Sequence, residues 1–168
     1  MSTLCLVAGP PASAGLWSHV VDRLQYRGLS ARAVELFDPA PDDATVEGRA
    51  RFLVASTRPE DVLVAHGTAV PVVLAATEIR SPRALVLTNG ALGALDPFTH
   101  SLCRAARLPG FVRTTLQPEL WNRWLASSAG LRRTVVNPYV MDRDTVVALT
   151  QPYLATLEHR RAVARFFA

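Results

Sequence analysis

The distribution of apolar and polar residues predicts alternating strands and helices over the first ninety residues. Four short apolar runs have the length of buried strands, and the segments between them space their apolar residues as helices do. The strands are predicted at Thr3–Ala8, Ser30–Leu36, Asp61–Ala65 and Arg83–Thr88, and the helices at Leu16–Arg27, Thr45–Ser56 and Pro71–Thr77. This alternation indicates an α/β fold with a parallel, doubly wound sheet of about four strands.

The pattern changes after residue 90, where only helical spacing remains. Helices are predicted at Pro97–Ala106, Gln117–Ala126, Asp142–Leu149 and Tyr153–Phe167. The chain has 168 residues, of which 49% are hydrophobic, and this is enough for one domain with a core. We therefore expect an α/β core over residues 1–90 and a helical region over residues 91–168 that packs on the same domain.

Apolar runs and cysteines limit the class of protein. No apolar run approaches the ~20 residues of a membrane helix, and the N-terminus lacks the basic flank and long apolar segment of a signal peptide. We therefore expect a cytoplasmic protein with no membrane contact. Cys5 and Cys103 are far apart in the sequence. This favours two buried thiols over a disulfide or a zinc site, so we expect no metal.

The charged residues disfavour phosphate and nucleic-acid chemistry. All 18 basic residues are arginine, which excludes a phosphate-binding Walker lysine and a lysine Schiff base. The arginines are scattered among 14 carboxylates, so nucleic-acid binding is not expected. Glu35 and Asp38 follow the second predicted strand, as a ribose-binding acid would, but the first loop, GPPASAG, lacks the G-x-G-x-x-G fingerprint. We expect no dinucleotide and no other cofactor.

The stretch Asp61–Thr77, DVLVAHGTAVPVVLAAT, predicts a strand, a tight turn and a helix. In this setting the chain resembles the α/β-hydrolase family, whose nucleophile elbow G-x-S-x-G places a serine at the apex of such a turn. The five elbow positions are Ala65, His66, Gly67, Thr68 and Ala69. Gly67 stands at the position of the nucleophile, where glycine tolerates the backbone of the apex but cannot attack a substrate. An ordinary βα turn of a doubly wound protein is the alternative.

The resemblance covers the first ninety residues, and the run PELWNRWLASSAGLRRTVVNPYVMDRDTV is similar to the helical cap that the family inserts next. In the family, two further strands bring the catalytic acid and histidine, and this chain ends at Ala168 without a place for them. In the first loop, Pro10 cannot donate the N–H that the family uses for the oxyanion, whereas Thr68 keeps the second donor. The resemblance thus implies a truncated, degenerate member that does not hydrolyse esters or amides.

The same resemblance places the strand Arg83–Thr88 at an edge of the sheet. An open apolar edge strand invites pairing with another chain. We expect this edge to be covered by a second copy or by another protein, and we favour a homodimer because the sequence indicates no partner.

Four residues are candidates for catalytic roles. His66 precedes the apex and serves either to support the turn or to transfer a proton. Thr68 offers a hydroxyl and an N–H at the start of a helix, where capping is the alternative. Asp96 and His100 are four residues apart and could form an acid/base pair, but Asp96 before a proline is more often an N-cap.

Six residues are candidates for substrate binding. Asn89 follows the fourth strand at the edge where open α/β sheets bind ligands, although a turn with Gly90 explains it equally well. The aromatic residues could line an apolar pocket under the cap, but aromatic residues at this spacing usually belong to a core. The six are Pro10, Gly67, Asn89, Trp121, Trp124 and Tyr139.

Three functions remain open at this stage. The first is a non-hydrolytic enzyme of specialised metabolism that binds an apolar small metabolite and cyclises, isomerises or eliminates from it, since such reactions need positioning and hydrogen bonds and no nucleophile. The second is a catalytically inactive pseudo-hydrolase that serves as a ligand-binding or scaffolding subunit. In the third, another chain supplies the missing acid and histidine.

Overall fold

Four parallel strands form one sheet in the structure, a computed structural model that describes residues 2–90, 97–128, 130 and 142–168. The strands are β1 (Leu4–Ala8), β2 (Ala31–Glu35), β3 (Val62–His66) and β4 (Ala84–Thr88). Their order in the sheet is β2-β1-β3-β4, with every neighbouring pair parallel. The predicted fold class, a parallel four-stranded α/β sheet, is confirmed.

Helices connect the strands and continue after the last one. A single 3₁₀ turn (Ala14–Trp17) precedes the first α-helix. The α-helices are α1 (Ser18–Tyr26), α2 (Val46–Ser56), α3 (Ala69–Ile79), α4 (Pro97–Ala106), α5 (Phe111–Thr114), α6 (Pro118–Leu125), α7 (Arg143–Leu154) and α8 (Leu157–Phe167). None of the helices in the described ranges is long and apolar enough to cross a membrane.

The register of the sheet brings the carboxyl ends of its strands to one edge. Ala8 of β1 is level with Glu35 of β2 and with His66 of β3, and His66 is level with Thr88 of β4. The loops that follow these four residues therefore meet at the same end of the sheet, where open α/β sheets form their ligand crevices.

The two faces of the sheet are buried to different extents. Cys5 and Val7 of β1, with Leu63 and Ala65 of β3, lie in the hydrophobic core together with residues of α2 and α3. On the other face, Val62, Val64 and their neighbours on β4 are only partly covered. Val86 in the middle of β4 is 45% exposed, so β4 is an open edge among the residues that the structure describes.

The last two helices pack on the α/β core. The Ser13 N–H donates to the Leu149 carbonyl of α7 at 2.9 Å. On α8, Phe166 stacks edge-on against Phe37 with ring centroids 5.4 Å apart, and Phe37 makes a similar contact with Tyr153 of α7 at 5.6 Å. The loops after β1 and β2 are therefore held between the sheet and the C-terminal helices.

Candidate functional site

The turn between β3 and α3 is shorter than predicted, because β3 continues to His66 and α3 begins at Ala69. Gly67 and Thr68 alone connect the two elements. The Gly67 N–H donates to the Thr88 carbonyl of β4 at 3.2 Å, and the Val70 N–H donates to the Gly67 carbonyl at 3.1 Å. These bonds fix the turn between the neighbouring strand and its own helix.

Gly67 forms the apex in a left-handed backbone conformation, with φ of +59°. Residues other than glycine adopt this region at a cost, which explains a glycine here. A Cβ atom built on Gly67 would meet no heavy atom of the described residues within 4 Å. The apex therefore has the left-handed backbone of an elbow, carries no side chain and faces a space that these residues leave open.

Thr68 joins the turn to the loop that follows β1. Its hydroxyl donates to the Pro10 carbonyl at 2.5 Å and makes no capping bond to α3. The two backbones approach so closely here that a Cβ atom on Gly9 would lie 2.5 Å from the Thr68 hydroxyl oxygen and 2.8 Å from the Ala69 nitrogen. The Thr68 hydroxyl thus bridges the two loops. It is neither a free donor nor a cap of α3.

Hydrogen-bond donors at the turn are few. Pro10 and Pro11 have no N–H to offer. The N–H groups of Thr68 and Ala69, at the start of α3, donate to no residue that the structure describes. Two backbone donors of the turn are therefore unpaired among these residues.

His66 supports the turn from below. Its imidazole packs edge-to-face against the indole of Trp17, with ring centroids 6.0 Å apart and planes at 89°. Burial lowers the pKa of His66, so the imidazole is neutral at pH 7. The indole N–H of Trp17 is buried and has no acceptor among the described residues. Trp17 was not among the predicted site residues, since its contact with His66 depends on the tertiary fold.

Glu35 ends β2 next to the same loops. Its carboxylate accepts the Ala14 N–H at 2.8 Å and faces the buried hydroxyl of Tyr153, which donates to the Ala12 carbonyl at 2.7 Å. Burial raises the pKa of Glu35, although the hydrogen bond from the Ala14 N–H favours its charged form. Burial and the nearby Glu35 also raise the pKa of Tyr153 well above its usual value. The sequence shows Glu35 as an acid at the end of a strand, a position that a ribose-binding acid also takes.

The other candidates are distributed over the molecule. Asn89 is exposed and follows β4 with φ of +48°, a conformation typical of a turn. His100 is exposed on α4, which packs against α5 and α8. Trp121 is 3% exposed in the core, whereas Trp124, whose ring lies 5.2 Å away, is 37% exposed. Asp96 and Tyr139 lie outside the described residues.

The structure thus gathers Pro10, His66, Gly67, Thr68 and Asn89 at the carboxyl edge of the sheet. Across the described ranges, no group of three histidine, cysteine, aspartate or glutamate side chains could hold a metal ion. Among the described residues, the polar groups at this edge include the N–H groups at the start of α3, the neutral imidazole of His66 and the exposed amide of Asn89.

No family model matches the sequence, and no curated protein matches it either. Solved structures are similar to it. An ancestral haloalkane dehalogenase matches 99% of this chain with a TM-score of 0.67 at 18% identity. The chain has part of an α/β-hydrolase fold. An esterase from Thermogutta terrifontis matches 96% of the chain with a TM-score of 0.57 at 18% identity, and an epoxide hydrolase from Bacillus megaterium matches 96% with a TM-score of 0.54 at 16% identity.

The chain spans between 61% and 65% of the length of these three structures. At this identity the likeness establishes the fold alone. It places the turn at Gly67 within a fold whose members include hydrolases, and the activity of this chain has to be proposed from its own residues.

Proposed function

We propose that this chain binds an apolar small metabolite at the Gly67 turn without hydrolysing it. The observation that carries the proposal is the apex itself. The turn keeps the left-handed backbone of an elbow, while the position that would present a nucleophile has no side chain and opens onto free space. A substrate carbonyl or hydroxyl could occupy the room that a nucleophile would otherwise fill.

The polar contacts for such a ligand are few and fixed. The Thr68 N–H is available to an oxygen atom at the start of α3, and the clamp from Thr68 to Pro10 holds it in place. His66 supplies a neutral imidazole, and Asn89 an exposed amide at the same edge. This set is suited to orienting a neutral molecule that carries one polar group.

The reactions that fit this set are cyclisation, isomerisation and elimination. Each proceeds when a substrate is held in one conformation and a proton is moved, so positioning and one neutral base can suffice. His66 is the group whose protonation state suits proton transfer, and Thr68 would stabilise charge on a substrate oxygen. Asp96 and His100 remain a proposed acid/base pair, and Trp124 and Tyr139 a proposed apolar wall.

The experiment compares Gly67→Asn with Gly28→Asn. Both glycines have positive φ, both have nothing within 4 Å of a Cβ position, and asparagine tolerates this backbone best among the residues with side chains. The two variants should therefore lose similar stability, while only Gly67→Asn fills the apex. Saturation-transfer NMR with 2-heptanone and cyclohexanone should give signals for the parent chain and Gly28→Asn, and none for Gly67→Asn.

Equal signals in both variants, or none for the parent chain, would contradict binding at the apex. Turnover of p-nitrophenyl butyrate tests the second half of the proposal. The parent chain should not exceed the buffer rate, and faster hydrolysis that Gly67→Asn abolishes would show that the turn is hydrolytic after all.

A second candidate function rests on the open edge of the sheet. Val86 and Ala84 of β4 are exposed, which favours a scaffolding or partner-binding subunit whose edge pairs with a second copy or with another protein. In that case changes at the apex would leave function intact and changes on β4 would abolish it.

A further inference from the structure

A groove lies on the helical side of the molecule, between the end of α4, the short helix α5 and the start of α8. It has a volume of about 210 Å³. The residues that form it include Leu108, Phe111, Val112, Arg113, Leu157 and Arg161. None of them belongs to the loops around Gly67, so the groove is a separate feature of the surface.

The groove has both polar and apolar walls, and its apolar part is partly open to water. Phe111 is buried, whereas Leu108 and Leu157 are 64% and 41% exposed. Single exposed leucines are common on protein surfaces, but two of them facing one concave site favour an apolar ligand.

Two arginines of the groove differ from their neighbours. The guanidinium groups of Arg107, Arg160 and Arg165 donate to Ala168, Thr156 and Pro41 carbonyl oxygens. Arg113 and Arg161, by contrast, make no side-chain hydrogen bond or ion pair with any residue in the described ranges. Two cations without a partner among these residues, next to the apolar side chain of Phe111, provide an attraction for an anion with a hydrophobic body.

The charge distribution of the chain also favours an anionic ligand in this groove. Residues 97–168 carry ten arginines and four carboxylates, whereas the first 96 residues carry eight arginines and ten carboxylates. The helical half thus holds all of the positive excess. Glu158 lies three residues before Arg161 on α8 and offsets part of it locally, which favours a ligand with one negative charge over a dianion.

We infer that this groove binds a short-chain fatty acid or a similar monocarboxylate with an apolar tail. The carboxylate would be held by Arg113 and Arg161, and the tail would lie over Phe111 between Leu108 and Leu157. The small volume fits one short tail better than a drug-sized ring system, since pockets for such ligands typically have ~300 Å³ or more.

The test uses octanoate and its neutral counterpart octan-1-ol, measured by calorimetry and by ligand-observed NMR. Octanoate should bind, octan-1-ol about tenfold more weakly, and added salt should weaken the binding of octanoate only. The double variant Arg113→Gln/Arg161→Gln should lose about tenfold in affinity for octanoate. Arg123→Gln, which removes an exposed arginine of α6 outside the groove, is the matched control and should bind as the parent does.

Leu108→Asn tests the apolar wall and should weaken both ligands to the same degree. The inference is overturned if octanoate does not bind, if it binds equally well to the double variant, or if an acidic peptide binds at Arg113 and Arg161 where octanoate does not. Gly67→Asn separates the two sites, since octanoate binding should survive it. Loss of octanoate binding in Gly67→Asn would place this ligand at the turn and overturn the groove site.

Discussion

One hydroxyl group holds two loops together at the candidate site. Thr68 comes after the apex, and its hydroxyl donates a hydrogen bond to the carbonyl of Pro10, 58 residues earlier in the chain. The Thr68 N–H makes no hydrogen bond to the described residues, and its position depends on this clamp. The hydroxyl is occupied by the clamp, which fixes the backbone of the turn.

Thr68→Val removes the clamp while keeping the branched shape of the side chain. The Pro10 carbonyl is left without its donor in a buried place, and we expect the free energy of unfolding to fall by about 1–3 kcal/mol. Urea unfolding at neutral pH measures it. Thr68→Ser, which retains the hydroxyl, should lose clearly less. Equal losses in the two variants would mean that packing of the methyl group, and not the hydrogen bond, stabilises the turn.

At the residue scale, the sequence predicts local backbone conformation better than contacts between side chains. A tight turn with Gly67 at its apex was predicted from the strand and helix around it, and Gly67 has the left-handed φ of +59° that glycine tolerates. The partner of Thr68 could not be predicted, since it lies on a loop that reaches the turn only when β1 and β3 pair. The same holds for Trp17 against His66, and for Trp121, whose spacing alone does not separate a core position from a pocket wall.

At the scale of elements, Glu35 connects three of them. It ends β2, accepts an N–H from the loop after β1 and faces Tyr153 of α7. Because Tyr153 donates to the Ala12 carbonyl, its oxygen can accept a proton from a neutral Glu35 carboxyl. This arrangement satisfies the protonated acid well and agrees with the raised pKa.

Glu35→Gln should therefore change how stability depends on pH. The unfolded chain releases this proton near pH 4.5, whereas the folded carboxyl retains it to higher pH. Between pH 4.5 and the raised pKa of the folded carboxyl, the folded state binds more protons than the unfolded state. The contribution of Glu35 to the free energy of unfolding therefore decreases as pH rises. Glutamine does not ionise. The free energy of unfolding of the parent minus that of the variant should therefore fall as pH rises above 4.5.

Urea unfolding of both proteins from pH 4 to pH 8 gives this difference directly. The contributions of all other titrating groups cancel because both proteins contain them. A difference that stays constant or grows with pH would contradict the burial of the carboxyl. The parent and the variant should share the same dependence on urea concentration, which confirms that both unfold from equally compact states.

The boundaries of the strands and helices show where the local sequence pattern is enough to predict them. All four strands lie within their predicted ranges or extend by one residue, because each is a short apolar run with clear ends. Helix α5 was missed, since its four residues after the left-handed Gly110 are too few for a periodic pattern. Helix α7 was predicted to end at Leu149 but continues through Pro152 to Leu154, and α8 begins only after its cap at Thr156. Contacts of Leu149 and Tyr153 with the first loop support the longer helix.

At the scale of the whole molecule, burial is uneven across the sheet. Both faces are buried at β1, whereas β4, and β3 on the face opposite α2 and α3, remain partly open among the described residues. The edge position of β4 was expected from the resemblance to α/β-hydrolases and is confirmed by the strand order. What covers this edge in solution remains a prediction, because burial within one chain does not identify a partner.

We predict that the chain self-associates through β4. Two copies related by a two-fold axis would pair their edge strands antiparallel, which brings Val86, the central residue of Ala84–Thr88, close to its own copy. Val86→Lys would then place two like charges together and destabilise the pair. Light scattering over a range of concentrations should give a mass approaching two chains for the parent and one chain for this variant.

Leu120→Lys is the control, since Leu120 is an apolar residue of α6 that is 57% exposed and lies away from the sheet edge. It should associate as the parent does. A parent chain that stays monomeric at every concentration would contradict self-pairing, and the scaffolding function would then require a different protein at this edge. If the parent and Val86→Lys have the same mass and it exceeds that of one chain, the interface lies on another surface.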